Sequence, residues 1–222
     1  MTAINASSII DQTRRALSVA QRHDEPYPHW LINKMLPDAA VAALQTVALP
    51  IAELEGVSGK RELHNDTRHY VDEKNRAAIP VFAALGDAYQ NPQMVGVLER
   101  FFGASLVDTF LRIEYAQDVS GFWLQPHTDL GVKKLTMLIY LSDDPAHENL
   151  GTDIYNADKT WAKRSPFKPN LTMAFVPGDA TYHGFEQREI SGVRKSLILN
   201  YVTKDWRDRE QLAFPSETVT AA

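Results

Sequence analysis

The sequence predicts an α+β fold in which N-terminal supporting helices lead into a two-sheet jelly roll. Three observations carry that prediction. Apolar residues recur at helical spacing through the first hundred positions, and from about residue 105 they give way to short β-type runs. Ser-Gly, Asp-Asp-Pro, Asn-Leu-Gly and Pro-Gly-Asp turns separate those runs. Seven or eight short strands over roughly a hundred residues suit two packed antiparallel sheets. With 222 residues, 44% of them hydrophobic, the chain can bury a full core as one domain. We divide it into helical support (1–104), jelly-roll core (105–205) and C-terminal tail (206–222).

Ile9, Ile10, Thr13, Leu17 and Ala20 fall on one helical face, which predicts an amphipathic helix over about 8–22. Pro26 and Pro28 end it and favour an extended segment through His29-Trp30-Leu31-Ile32. Asp38 is an N-cap candidate for a helix through Ala39–Val47. Residues 59–76 are polar and show neither period. Pro80–Tyr89 and Gln93–Phe102 read as two helices, the second closing at Gly103. The β runs are Leu106–Tyr115, Phe122–His127, Leu135–Leu141, Thr152–Tyr155, Leu171–Val176, Ala180–Phe185 and Lys195–Val202, and Asp205–Leu212 reads as a short closing helix. No repeat or low-complexity segment interrupts this order.

Composition excludes several classes. A net charge of −5 and no basic block disfavour nucleic-acid or anionic-membrane partners. The absence of cysteine removes disulfide scaffolds, thiolate metal sites and cysteine nucleophiles. The first residues lack a basic segment followed by an apolar one, and no apolar run reaches membrane-spanning length. A cytoplasmic location is the expectation. No heptad or large apolar face assigns an oligomeric state.

The chemistry-bearing residues are His127-Thr128-Asp129, His183 and Arg194-Lys195-Ser196. Residues i and i+2 of a strand share a face, so His127 and Asp129 can offer an imidazole and a carboxylate to one ion. His183, just after the Pro177-Gly178-Asp179 turn, can complete a 2-His-1-carboxylate set with open positions for co-substrate and dioxygen. Arg194 and Ser196 share a face of an apolar strand and can hold a carboxylate, the guanidinium as a two-point fork. Each part alone has a bland reading: a surface His–Asp pair, a structural strand His, an edge Arg. Their combination favours a metal site. His23, His29, His64, His69 and His147 have no ligand spacing to one another.

With these residues in hand, the chain resembles the Fe(II)/2-oxoglutarate-dependent dioxygenases, and among them the prolyl-hydroxylase-like group. The resemblance extends to Tyr115-Ala-Gln-Asp-Val-Ser-Gly-Phe122 before Leu124-Gln125-Pro126-His127, to the core run Leu135–Leu141, and to the entry segment His29–Pro37. Asn149–Tyr155 is similar to the family's Gly-Gly-x-Leu turn, with Thr152 in place of the second Gly. It implies a double-stranded β-helix, cupin-like core. It implies that His127, Asp129 and His183 bind Fe(II) and that Arg194 with Ser196 holds the distal carboxylate of 2-oxoglutarate. Tyr115 and Tyr140 match positions where the group places tyrosines against that co-substrate; ordinary core packing is the other reading of both. Ascorbate is an optional accessory.

The implied reaction consumes dioxygen and 2-oxoglutarate, releases succinate, and hydroxylates an unactivated C–H bond of a small-molecule or peptidyl substrate. Halogenases of the superfamily lack the carboxylate, so Asp129 favours hydroxylation, with desaturation and ring chemistry left open. Arg61–Tyr70 reads as an exposed loop or as a lid suited to an anionic substrate. The competing class is a non-oxygenase metal-binding cupin, such as a zinc hydrolase, an isomerase or a structural module, which has no need of Arg194 and Ser196.

Overall fold

The computed structural model describes residues 4–51, 59–60 and 68–222. Among the described residues, five helices precede the main body of strands: α1 (Ala6–Ser18), α2 (Asp38–Gln45), α3 (Glu73–Ala78), α4 (Pro80–Gln90) and α5 (Pro92–Phe102). The strands are β1 (Gln21–His23), β2 (His29–Asn33), β3 (His69–Tyr70), β4 (Phe110–Asp118), β5 (Leu124–His127) and β6 (Lys133–Tyr140). After them come β7 (Asp153–Tyr155), β8 (Trp161–Arg164), β9 (Leu171–Phe175), β10 (His183–Phe185) and β11 (Arg194–Val202). They form a seven-stranded sheet ordered β1-β2-β9-β6-β11-β4-β3 and a four-stranded sheet ordered β5-β10-β7-β8. All pairings are antiparallel. This is the double-stranded β-helix, with the helices on one outer face.

Local chemistry sets the helix ends. The Asn5 side chain accepts from Ser8 N while Ser8 Oγ answers Asn5 N, a reciprocal cap at the start of α1. Asn91 caps α5, Pro92 opens it, and Gly103 at φ 68 closes it in the left-handed conformation that a side chain resists. Asp38 is the first residue of α2 rather than its cap, and no side chain caps that helix; its carboxylate still sits in the first turn, where the dipole favours it.

Where prediction and structure differ, tertiary pairing or short length explains it. The expected helix over 8–22 stops at Ser18 because Gln21–His23 pair in register with His29–Leu31. Six-residue α3, with no buried residue, is too short to print a period in the polar stretch. β8 reads Trp-Ala-Lys-Arg, an edge strand without an apolar alternation. Asp205–Leu212 contains one 3-10 turn at Arg209–Gln211 instead of a helix. The C-terminal segment is built in rather than trailing: Ala213 and Val219 are buried, and their amides donate to Leu111 O and Thr109 O.

Strand alternation sorts the two faces of the large sheet. Leu111, Ile113 and Tyr115 of β4 and Leu197, Leu199 and Tyr201 of β11 join Phe82, Leu85, Tyr89 and Leu98 in the core beneath the helices. Each such side chain, fully buried, contributes about 2 kcal/mol. The opposite parity of β4 and β11 carries Glu114, Asp118, Arg194, Ser196 and Ile198, which face a cavity between the sheets. The polar face of these strands is therefore inside.

Candidate metal centre

β5 and β10 set the two imidazoles side by side. His183 and His127 are Cα partners in the antiparallel register, and their ring centroids are 4.5 Å apart. That close approach depends on Gly184: a Cβ there would lie 2.7 Å from Leu124 O and 3.1 Å from Gln125 O. His127 Nδ1 lies 2.9 Å from Gln125 O, and His183 Nδ1 lies 3.0 Å from Thr181 O. With Nδ1–H donated to a carbonyl, each ring presents the Nε2 lone pair, as a metal-binding histidine does.

Asp129 follows β5 in an irregular segment, so it reaches the site through the bend after the strand and not through strand alternation. One carboxylate oxygen takes the Lys133 ammonium at 2.5 Å and the other takes the Thr136 hydroxyl at 2.5 Å. One ligand atom from each of His127, Asp129 and His183 lies within 4.8 Å of the others. Among the described residues this is the one group of three His, Cys, Asp or Glu so disposed.

The charge states suit a cation. Burial raises the Asp129 carboxyl, but Lys133, His183 and the Thr136 hydroxyl outweigh it and hold the group well below the usual carboxylate range. Burial and then His127 push His183 down to about 4, against the pull of Asp129. The ring is neutral at pH 7, with its lone pair available. The donor set of two imidazoles and one ionised carboxylate fits a divalent first-row ion.

Arg194 and Ser196 line the same cavity as the three candidate ligands, together with Arg68, Glu114, Asp118, Phe122 and Thr152. The guanidinium of Arg194 does not present an open fork. Its Nε donates to Leu150 O at 2.8 Å and its Nη1 to Asp118 Oδ2 at 2.5 Å. Nη2 makes no hydrogen bond among the described residues, nor does the Ser196 hydroxyl.

The structure separates the two tyrosines and corrects the expectation for Tyr115 alone. Tyr115 has the helix-facing parity of β4, and its hydroxyl donates to Leu44 O at 2.9 Å. Tyr140 pairs with Ser196 and shares its face, its ring 5.8 Å from the Arg194 guanidinium; its hydroxyl is bonded to Thr152 Oγ1 at 2.8 Å and Ser165 Oγ at 2.5 Å. In the turn before β7, Thr152 in place of a second Gly is tolerated because the tight spot is Gly151, where a Cβ would meet Ser165 O at 1.8 Å.

Of the suggested lid, residues 61–67, including Arg61 and His64, lie outside the described residues. His69 and Tyr70 form the edge strand β3, and Arg68 turns its side chain into the cavity. His147 is a buried structural histidine, with Nε2 2.6 Å from Ser191 O. The sequence reading passed over Asp118, Glu114 and Lys133. A signal for the first two was present: Arg112, Glu114 and Asp118 alternate through β4, a charged face on an otherwise apolar strand.

No protein-family profile and no curated protein matches the sequence. Solved structures do match. A prolyl 4-hydroxylase from Phytophthora capsici superposes with a TM-score of 0.61 at 12% identity over 92% of this chain and 67% of its own. A Trichoplax adhaerens prolyl hydroxylase, solved with a hypoxia inducible factor peptide fragment, gives 0.55 at 13% identity over 90% of this chain and 91% of its own. EctD from S. alaskensis, solved with 2-oxoglutarate and 5-hydroxyectoine, gives 0.55 at 14% identity over 87% and 81%. The chain has the fold of prolyl hydroxylases and other 2-oxoglutarate oxygenases.

Proposed function

We propose that the protein is an Fe(II)/2-oxoglutarate-dependent dioxygenase that hydroxylates an unactivated C–H bond of a small-molecule or peptidyl substrate. The observation that carries this reading is the convergence of His127, Asp129 and His183 in a cavity that Arg194 and Ser196 also line. The structural neighbours solved with 2-oxoglutarate support it.

His127 Nε2, the Asp129 carboxylate and His183 Nε2 would hold Fe(II), and Arg194 with Ser196 would hold the far carboxylate of 2-oxoglutarate. Bound iron and co-substrate supply the oxidation, with one atom of dioxygen passing into succinate, the other into the substrate C–H bond, and carbon dioxide released. The protein fixes the ligands. Gln125 O and Thr181 O orient the two imidazoles, and Thr136 holds one oxygen of Asp129. Phe122, Leu138, Phe185 and Ile198 line the cavity with apolar surface that limits water around the reacting groups.

Anaerobic addition of Fe(II) and 2-oxoglutarate tests the assignment. The expected result is a visible metal-to-ligand charge-transfer band, and in air succinate release that His127→Ala abolishes. Neither band nor succinate would instead support a metal-binding cupin without oxygenase activity.

A further inference from the structure

We infer that Arg68 is a second cationic arm of the co-substrate seat, acting with Arg194 across Asp118 to recognise the distal carboxylate of a 2-oxo diacid. The inference rests on the proposed function and adds a residue to it from outside the jelly roll. Arg68 precedes the edge strand β3, yet its side chain is only 3% exposed. It lies in the same cavity as Arg194, Ser196 and the three candidate metal ligands.

Three observations carry this role. Arg194 commits Nε to Leu150 O and Nη1 to Asp118, so a single nitrogen is left to it, and the fork that a carboxylate prefers must be completed by another donor. We assign that role to Arg68, which lines the same cavity. Its Nη1 is ion-paired with the second oxygen of Asp118, so one carboxylate bridges two guanidinium groups. Phe122 lies under the Arg68 guanidinium at 4.8 Å and fixes its plane. Arg68 Nε is buried, 3.4 Å from Glu114 Oε1, without a hydrogen bond.

Charge gives the third observation. Among the described residues, Arg68, Arg112 and Arg194 are set among Glu114 and Asp118, three cations against two anions on one buried face. The excess of one positive charge among these described residues suits one anionic group. The distal carboxylate of a 2-oxo diacid supplies that charge; a 2-oxo monoacid does not.

The test compares two probes that share the chelating head, 2-oxoglutarate and 2-oxobutyrate, titrated anaerobically into the Fe(II)-loaded full chain by calorimetry. Arg68→Met should weaken 2-oxoglutarate by roughly tenfold or more and leave 2-oxobutyrate unchanged. Arg68→Lys, which keeps the charge and loses the fork, should fall between wild type and Arg68→Met for 2-oxoglutarate alone. If Arg68→Met does not fold by circular dichroism, the selective loss in Arg68→Lys decides the matter. Equal weakening of both probes, or no change in either, overturns the inference while leaving the iron assignment intact. Failure of the wild type to bind 2-oxoglutarate at all overturns the proposed function and this inference with it.

Discussion

Asp129 and Arg194 stand at the two ends of one continuous run of buried polar contacts. Asp129 accepts from Thr136 Oγ1 at 2.5 Å, and Asn200 Nδ2 donates to Thr136 Oγ1 at 2.9 Å. Arg112 donates to Asn200 Oδ1 at 3.2 Å and to Glu114 Oε2 at 3.0 Å. Glu114 and Asp118 both face Arg68, and Asp118 meets Arg194. Rings of Tyr70 and Trp206, each 4.8 Å from the Arg112 guanidinium, hold its centre. The candidate metal ligand and the candidate carboxylate anchor are thus fixed by one lattice, and loosening any link should be felt at both ends.

Thr136→Val tests that coupling near the metal. It removes the donor to Asp129 and the acceptor of Asn200 in a site that is 1% exposed. Fe(II) affinity, measured by competition with a chromogenic chelator, should fall about 10- to 100-fold, the usual effect of losing a partner of a metal ligand.

Gly184→Ala tests the register that pairs the imidazoles. The new Cβ would meet the Leu124 carbonyl at 2.7 Å, so β5 must move away from β10. Urea denaturation should show a loss of roughly 1–3 kcal/mol, accompanied by weaker metal binding.

Tyr115→Phe separates core from site. Removing the hydroxyl takes one of two donors from Leu44 O, leaving Val47 N, and should cost about 1 kcal/mol of stability. The affinity for 2-oxoglutarate should not change, because the phenol lies on the helix side of β4.

The metal-free protein should lose stability as pH falls below 6.5, in part through His29. Burial, then Lys163 and His23, lower its pKa from 6.5, against the Tyr27 carbonyl and Asp24. The unfolded chain therefore binds the proton first, and stability rises with pH through the interval between the folded value and 6.5. His29→Gln should flatten part of that slope in pH-dependent denaturation curves.

Much of this arrangement was legible in the sequence. The change from helical to strand spacing near residue 105, the close of α5 at Gly103 and the His127–Asp129–His183–Arg194–Ser196 set all follow from local patterns. What escaped has physical causes. β1 exists because β2 is beside it, and no local pattern in Gln21–His23 announces that partner. β8 is a polar edge strand. The side to which Tyr115 points depends on strand parity relative to two layers, and a sequence match to a family position does not fix it. Asp118 as the partner of Arg194 needs the β4–β11 register, which pairs positions 76 residues apart.

The most direct test of the central claim is anomalous diffraction at the iron edge from crystals grown anaerobically with Fe(II) and 2-oxoglutarate. One peak between His127 Nε2, Asp129 and His183 Nε2, with density for the 2-oxo acid running from it to Arg194 and Ser196, is the predicted result. A peak elsewhere, or iron bound there with the acid directed away from Arg194, would contradict the account.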